Sequence, residues 1–344
     1  MPSVSLEPLR RTRAVVLPDL YVDALAFLPP WAQSGRQMGQ IARRGGGNLP
    51  VGNIEFKLGG NAANLAVALA RLGAQVDLIA HTDEFGHRLL QRAAAGTDLR
   101  TEGVRVGAKG SATLGLECGG SNVMLSHAGP LQEFGPERLT KEDWERIESA
   151  DAVALVNWAQ NQRGTALLKK ISSRLGRRGT FLYLDTGDVR NRLPDLAALR
   201  QDPSIWKGVG AFGMNQNELG AFAAARPGDG RRGKAASARG QGPSGGGVGV
   251  AQAQELASEL GTRIDLHTRE WAASVTGSSS TKVPAGRTPA VRLTGAGDTW
   301  NAGNLAGYMI GLPDRERLSL AHRVATRYVT GRSGLPPTAQ DVAP

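Results

Sequence analysis

The sequence has a single cysteine, Cys118, in 344 residues, which excludes an internal disulfide framework and any cysteine-rich metal site. Its five histidines show no HExxH spacing, so that kind of zinc site is excluded as well. No run approaches the roughly 18 unbroken apolar residues of a membrane-spanning helix. An apolar run does follow an arginine cluster near the N-terminus, but Asp19 and Asp23 interrupt it, unlike the core of a cleaved signal peptide. We expect a cytoplasmic protein.

Aromatic residues are also scarce, at 5%, although the chain is basic, with 41 Lys and Arg against 31 Asp and Glu and a net charge of +10. Such a charge suits anionic ligands such as nucleotides. Nucleic-acid binding would call for a basic stripe with interleaved aromatic residues. The basic clusters, at residues 10–13, 36–44 and 226–239, contain almost none, so we expect no nucleic-acid partner and no membrane partner.

Short apolar runs that predict buried strands alternate with helical patterns, which is typical of a parallel α/β sheet. Two runs at residues 111–116 and 122–126, joined across a Gly-Gly pair, instead predict a hairpin that belongs to an accessory sheet or lid. Residues 29–50, rich in Pro, Gly and Arg, are predicted to be a mobile loop or the outer part of that lid. Residues 226–249 have too few apolar side chains to form a core and are predicted to be a disordered surface insertion.

The motif Thr-Gly-Ala-Gly-Asp at residues 294–298 precedes apolar residues with helical spacing. Small residues at a helix start leave the first backbone N–H groups unobstructed, and with the helix dipole these groups make an anion site. Asp298 lies within reach of such an anion. It could therefore take a proton from a hydroxyl that attacks a phosphate. The alternative is that Asp298 only caps a helix after a glycine turn.

A second motif, Gly-Gly-Asn-Ala-Ala-Asn at residues 59–64, opens a strongly helical run for which Asn61 is the predicted N-cap. Glycine lets a ligand approach the backbone closely, so we favour Asn64 as a residue that binds a ligand hydroxyl over one that satisfies local backbone groups. Polar residues also follow successive predicted strands, where open α/β sheets place ligands. They are Asn157, Asp185, Asp188, Asn215, Glu218, His267 and Thr268.

These motifs resemble those of the ribokinase-like (PfkB) carbohydrate kinase family. Residues 59–64 with 74–86 resemble its N-terminal signature, residues 294–298 its C-terminal signature, and residues 215–218 its NxxE pattern. The resemblance implies a doubly wound, mostly parallel central sheet flanked by helices, with a small β-sheet lid. It implies one kinase domain over residues 13–338, with lid segments at about 25–58 and 108–127.

The resemblance also implies roles for individual residues. Gly295, Ala296 and Gly297 would hold the γ-phosphate through their N–H groups, with Asp298 as the base. The substrate would contact Asp23, Gly59, Gly60, Asn64 and Asn157; the nucleotide would contact Asn215, Glu218, Thr268, Thr294 and His322. Mg²⁺ would bind Asn215 and Glu218 through water, ATP would be the donor, and some members hold a monovalent cation such as K⁺ around residues 331–334.

Three functions remain open at this point. The first is an ATP-dependent kinase that phosphorylates a primary hydroxyl of a sugar, and the second is a nucleoside kinase of the same fold. For the second, only Phe56 and Trp158 are obvious residues to stack on a base. The third is a non-catalytic sugar- or nucleotide-binding protein, against which the intact Asp298 argues, because a binder needs no base. A homodimer through the lid is a further expectation from the resemblance.

Overall fold

The computed structural model describes residues 4–118, 121–176, 179–225, 246–286, 288, 294–331 and 333–342. The strands in chain order are β1 (Arg13–Leu17), β2 (Tyr21–Leu28), β3 (Asn53–Gly59), β4 (Gln75–Leu78), β5 (Ala80–Thr82), β6 (Leu99–Arg100), β7 (Val104–Val106), β8 (Ser111–Cys118), β9 (Ser121–His127), β10 (Ala152–Leu155), β11 (Phe181–Asp185), β12 (Ala211–Asn215), β13 (Arg263–His267), β14 (Trp271–Val275) and β15 (Ser280–Pro284).

The helices in chain order are α1 (Trp31–Arg43), α2 (Asn61–Arg71), α3 (Glu84–Ala94), α4 (Lys141–Ser149), α5 (Gly164–Leu175), α6 (Leu193–Arg200), α7 (Pro203–Trp206), α8 (Gln216–Ala224), α9 (Gly246–Leu260), α10 (Ala296–Met309), α11 (Asp314–Thr330) and α12 (Ala339–Val342). Short 3-10 helices lie at Glu7–Arg11, Gly129–Glu133, Pro136–Arg138 and Trp158–Gln160. Among the described residues, no helix is both long enough and apolar enough to cross a membrane.

The central sheet has the order β15-β14-β13-β12-β11-β10-β1-β4-β6. Its strands pair in parallel from β13 through β6, and β14 and β15 add an antiparallel edge. The strand order reverses between β1 and β10, which is the position where doubly wound sheets open a ligand crevice at their carboxyl ends. The predicted α/β fold with a mostly parallel, helix-flanked sheet is confirmed.

Both faces of the central sheet are buried, which explains its nearly unbroken apolar strands. Side chains alternate across a strand, so β1 contributes to two core layers. Val15 and Leu17 pack in one hydrophobic cluster, and Ala14 and Val16 pack in the other. The strand ends are thereby fixed from both sides, and the polar residues that follow them occupy defined positions.

A separate four-stranded sheet has the order β3-β2-β8-β9, and the predicted hairpin is its β8–β9 pair. Asp23 lies opposite Lys57 on one side and Thr113 on the other. Asp23 and Thr113 are buried, whereas large apolar side chains on the alternate positions are exposed. The exposed set comprises Ile54, Phe56, Leu114, Val123 and Leu125, and we call it the outer apolar face.

Three local expectations differ from the structure. Residues 31–43 of the predicted loop form helix α1, a surface helix in which only Ser34 is buried. Gly60, not Asn61, is the N-cap of α2, because its φ of 92° turns the chain into the helix. Helix α9 begins at Gly246, inside the tract predicted to be disordered; residues 226–245 lie outside the described residues.

Candidate active site

Asp298 lies in the first turn of α10, directly after the Gly295 turn. The Asn64 side chain of α2 reaches across to it, and Asn64 Nδ2 donates to Asp298 Oδ2 at 3.0 Å. Removal from bulk water raises the pKa of Asp298 well above its usual range, and the charges of Asp185, Asp19 and Asp23 raise it further, while the Asn64 hydrogen bond lowers it. The carboxylate is therefore basic for an aspartate and is held by a neutral donor.

The turn before Asp298 forms the start of helix α10. Gly295 has a φ of 85° and forms the N-cap of α10 without a side-chain cap. The Gly295 carbonyl accepts hydrogen bonds from Thr299 N at 3.0 Å and Thr299 Oγ1 at 2.8 Å. The N–H groups at the start of a helix have no partner within the helix, so this turn has the properties of an anion site.

Asp19, which the sequence analysis did not select, organises the start of α2. Its carboxylate accepts from Asn61 N at 2.8 Å and Ala62 N at 2.9 Å, across 42 and 43 residues. A Cβ on Gly60 would lie 2.9 Å from Asp19 Oδ2, so only glycine leaves this room. Burial raises the pKa of Asp19 to about 6, despite these hydrogen bonds. The sequence did contain an indication, because Asp19 follows the first predicted buried strand. Asn157 was selected by that criterion, as a polar residue after a predicted strand.

Asn157 joins the two halves of the sheet at the point where the strand order reverses. It has a left-handed backbone conformation with a φ of 54°, in the 3-10 turn after β10. Its Nδ2 donates to Asp19 Oδ2 at 2.9 Å, inside the protein. Asn157 therefore contributes to the same polar cluster as the α2 N-terminus, as a partner of Asp19.

Asp23 extends from the small sheet over the second glycine motif. A Cβ on Gly59 would lie 2.3 Å from the Asp23 carboxyl atoms, so the carboxyl packs directly on this glycine. Burial raises the pKa of Asp23 to about 6, and the Lys57 charge and a Thr113 hydrogen bond lower it. Asp23 also acts electrostatically on Asp298, which places both carboxylates in one polar region.

Asn215 and Glu218 form a capping box at the start of α8. Glu218 accepts from Asn215 N at 2.8 Å and from Asn215 Nδ2 at 2.7 Å. Burial raises the pKa of Glu218 well above its usual range, and the charges of Asp185 and Asp188 raise it further. Both residues line a cavity of about 160 Å³, whose other walls are Asp188, Val189, Arg190 and Asn217.

Asp185 is electrostatically coupled to both Asp298 and Glu218, since its charge raises the pKa of both residues. Its Oδ2 accepts from Asn301 Nδ2 of α10 at 2.8 Å, and Asn301 Oδ1 accepts from the buried Tyr183 hydroxyl at 2.7 Å. Strand β11 and helix α10 are therefore joined by a buried polar chain. This chain fixes the helix that carries Asp298.

A family model of the pfkB family of carbohydrate kinases matches residues 37–242, which is more than half of the chain. The chain belongs to the pfkB carbohydrate kinase family. It is accordingly a phosphotransferase with an alcohol group as acceptor.

Solved structures with the same fold agree in architecture. An Arabidopsis thaliana ribokinase complexed with ribose and ATP is 17% identical, with a TM-score of 0.68 over 96% of this chain and 97% of that chain. A Cryptococcus neoformans ribokinase in complex with ADP is 19% identical, with a TM-score of 0.70 over 96% and 98%. An adenosine kinase from Sinorhizobium meliloti is 17% identical, with a TM-score of 0.71 over 96% and 97%.

Three further residues, Thr268, Thr294 and His322, were expected to contact the nucleotide. The Thr268 hydroxyl is engaged in its own turn, where it donates to Trp271 O at 2.8 Å and accepts from Trp271 N at 3.0 Å. Thr294 Oγ1 donates to Glu117 Oε1 of the small sheet at 3.3 Å. His322 faces the ring of Trp300, and burial lowers its pKa.

His267 is a neighbour of this region to which the sequence analysis gave no role. Its ring stacks on Trp300 with centroids 4.8 Å apart. Its Cε1 atom lies 3.7 Å from the position that a Cβ on Gly297 would take. Burial lowers the pKa of His267 to about 4, so its ring is neutral near pH 7. The contacts place a neutral imidazole beside the glycine turn.

Proposed function

We propose that this protein transfers the γ-phosphate of ATP to a primary hydroxyl of a sugar or sugar-like acceptor. One observation carries the proposal: the Asp298 carboxylate, with its raised pKa, lies in the first turn of α10 beside the helix-start N–H groups of the Gly295 turn, and its Oδ2 accepts from Asn64 Nδ2 at 3.0 Å. A binding protein would have no use for a basic carboxylate at an anion site. In a kinase the two features act together on the attacking hydroxyl and on the transferred phosphate.

In this proposal each group of the chain has a separate task. Asp298 accepts the proton of the acceptor hydroxyl, because a carboxylate with a raised pKa is the stronger base. The N–H groups of Gly295, Ala296 and Gly297 stabilise the charge on the phosphoryl oxygens. Asp23, Gly59, Gly60, Asn64 and Asn157 orient the hydroxyl groups of the acceptor, since a diol needs both donors and acceptors.

The residues present fit Mg²⁺ bound through water. Among the described residues no group of three or more His, Cys, Asp or Glu side chains is arranged to hold a metal directly. Glu218 is nevertheless a buried acid whose pKa the nearby acids Asp185 and Asp188 raise. Mg²⁺ usually keeps several waters and binds one or two carboxylates plus substrate phosphates. Bound there, it would neutralise phosphate charge, while Asn215 holds the Glu218 carboxylate in place.

Two buried side-chain nitrogen atoms on the other side of the Gly295 turn support ATP as the phosphate donor. Trp300 Nε1 and His322 Nε2 are buried and have no hydrogen-bond partner among the described residues. Buried polar atoms are normally paired, so these two suit a ligand with hydrogen-bonding groups. We place the nucleotide base and ribose there, with Thr294 and Thr268 towards the phosphates. K⁺ dependence stays a prediction, since residue 332 lies outside the described residues.

A nucleoside acceptor is the second candidate, and a cavity favours it. The cavity has a volume of about 350 Å³, begins at Asn64 and Gly295, and passes Phe56 of the small sheet. This volume is within the range that holds a drug-sized ligand. Phe56 is exposed and could stack on a base, whereas Trp158 is fully buried and bonded to Thr165 through its indole N–H. Trp158 is therefore wrong as a stacking residue.

The proposal is tested by a coupled assay of ADP formation with ATP, Mg²⁺, and K⁺ added or omitted, over a panel of pentoses, hexoses and nucleosides. We expect turnover with at least one acceptor whose primary hydroxyl is free, and none with its deoxy analogue. ADP formation at the same rate with and without every acceptor would contradict the proposal.

Asn64→Ala is expected to raise the acceptor KM more than the ATP KM. One lost hydrogen bond of about 0.5–1.5 kcal/mol corresponds to an increase of roughly two- to tenfold. Steady-state kinetics with each substrate varied in turn measures the two constants. Asn61→Ala is the matched control, since it lies one turn earlier on α2 and its backbone N–H, not its side chain, binds Asp19. A larger change in the ATP KM would contradict the assignment of Asn64 to the acceptor site.

We further propose that two copies associate through the small sheet, which acts as the lid. Within the outer apolar face, Leu114 and Leu125 pair directly across β8 and β9, and neither lines the cavity that Phe56 lines. Leu125→Glu is expected to give a monomer in sedimentation velocity experiments, because it places a charge on that face. Val106→Glu, at another exposed apolar residue outside this sheet, should leave the dimer intact. A monomeric wild-type protein would contradict the dimer proposal.

A further inference from the structure

Tyr328, near the end of α11, contacts the Gly295 turn from behind. Its hydroxyl donates to the Thr294 carbonyl at 2.9 Å. The next carbonyl, that of Gly295, accepts from Thr299 N and Thr299 Oγ1. Two successive carbonyl groups of the turn are therefore held by hydrogen bonds, one from outside α10 and one from within it.

These bonds decide where the donors of the turn point. A peptide unit is planar and trans, so its C=O and N–H groups point in opposite directions. Fixing the Thr294 carbonyl towards Tyr328 therefore directs the Gly295 N–H away from Tyr328. In the same way, the Thr299 bonds direct the Ala296 N–H. Of the two, the Gly295 N–H depends on a side chain that the α10 helix does not itself supply.

The fit between Tyr328 and the turn is close. A Cβ on Gly295 would lie 2.7 Å from the Tyr328 hydroxyl oxygen, and the φ of 85° already favours glycine. Tyr328 is 7% exposed, so its ring is fixed by packing. On the other side, the Thr294 hydroxyl donates to Glu117 and accepts from Asn122 Nδ2 at 3.4 Å. Thr294 is thus held between the small sheet and Tyr328.

We propose that Tyr328 is a positioning residue that orients the Gly295 N–H towards the transferred phosphate. This inference rests on the proposed kinase function. The Tyr328 hydroxyl acts on the Gly295 N–H through the Thr294 peptide unit, although the side chain also lines the cavity that begins at Asn64 and Gly295. The phenol supplies the hydrogen-bond donor that this peptide unit needs.

The test is Tyr328→Phe, which keeps the ring and removes only the hydroxyl. We expect kcat to fall by about tenfold, less than the roughly 10²–10³-fold cost of deleting a whole oxyanion-hole donor. Both KM values should stay within about twofold, because the turn acts mainly on the transition state. Tyr308→Phe is the matched control: Tyr308 lies on α10, and the change removes a hydroxyl that donates to Asp265 at 2.8 Å, outside the site.

A second measurement does not depend on turnover. Amide hydrogen exchange in the peptide that contains residues 294–299 should be faster in Tyr328→Phe than in wild type, and unchanged in Tyr308→Phe, since exchange reports local opening. Equal exchange in all three proteins would overturn the positioning role, as would an unchanged kcat in an active enzyme. A wild type without kinase activity would overturn the proposed function alone, and the exchange experiment would still decide the role of Tyr328.

Discussion

Asp298→Asn is expected to lower kcat by about 10²–10⁴-fold, the usual contribution of a general base. The amide is almost the same size as the carboxyl and can still accept the hydrogen bond from Asn64, so the geometry of the turn is kept. What is lost is the basic oxygen that takes the proton of the acceptor hydroxyl. ATP affinity, measured by calorimetry, should change little, because the N–H groups of the turn remain.

Asp143→Asn is a matched control for this variant. Asp143 is the third residue of α4, as Asp298 is the third residue of α10, and Asp143 is buried. It bonds to the helix start and to Arg105 and Arg146, away from the glycine turn. Asp143→Asn should lower thermal stability and leave kcat near wild type. Near-normal turnover in Asp298→Asn would contradict the base assignment.

The wild-type pH profile provides a further check on the same residue. A base must be deprotonated to act, so kcat/KM should rise with pH through the raised pKa of Asp298. Asn64 lowers that pKa by donating to the ionised form, so its removal should move the acid limb to higher pH. In Asp298→Asn this limb should disappear from the residual activity.

Arg317→Met is expected to be the most destabilising substitution, at about 3–5 kcal/mol, because it leaves a buried carboxylate without its cation. Arg317 is completely buried and contacts Asp265 at 3.0 Å, Ser274 at 2.8 Å and Asp314 at 2.9 Å. It joins α11 to strands β13 and β14, and Asn304 and Tyr308 of α10 bind the same Asp265 carboxylate. Urea denaturation monitored by circular dichroism measures the loss.

Arg263→Met is the control for this prediction, since Arg263 also binds Asp314, at 2.7 Å, and Ser274, at 2.9 Å. Its side chain is 30% exposed, so its removal should cost no more than about 1 kcal/mol. If the two variants lost similar amounts of unfolding free energy, burial of the Arg317–Asp265 pair would not explain the cost of Arg317→Met. Adding Asp265→Leu to Arg317→Met should recover part of the loss, because no unpaired charge then remains.

The sequence predicted those parts of the fold and site that depend on local patterns. Residues 152–155 form a strand because all four are apolar, and the Gly295 turn follows from three small residues before an acid. Asp19, Tyr328 and Arg317 were not selected, because each has a decisive partner far along the chain (Asn157, Thr294 and Asp265, at 138, 34 and 52 residues), which becomes visible only when the chain has folded. Helix α1 was missed because its composition is that of a loop, with a single buried residue.

The coupling of Asp185 to both Asp298 and Glu218 has a thermodynamic consequence. Its charge disfavours ionisation at both ends, so the proton affinity of the base and the cation affinity of Glu218 are linked. Linkage is reciprocal. A cation bound near Glu218 will favour loss of a proton from the acids of this cluster. Loss of that proton will in turn raise the affinity for the cation. A cation bound at the Glu218 end therefore favours the ionised form of the base.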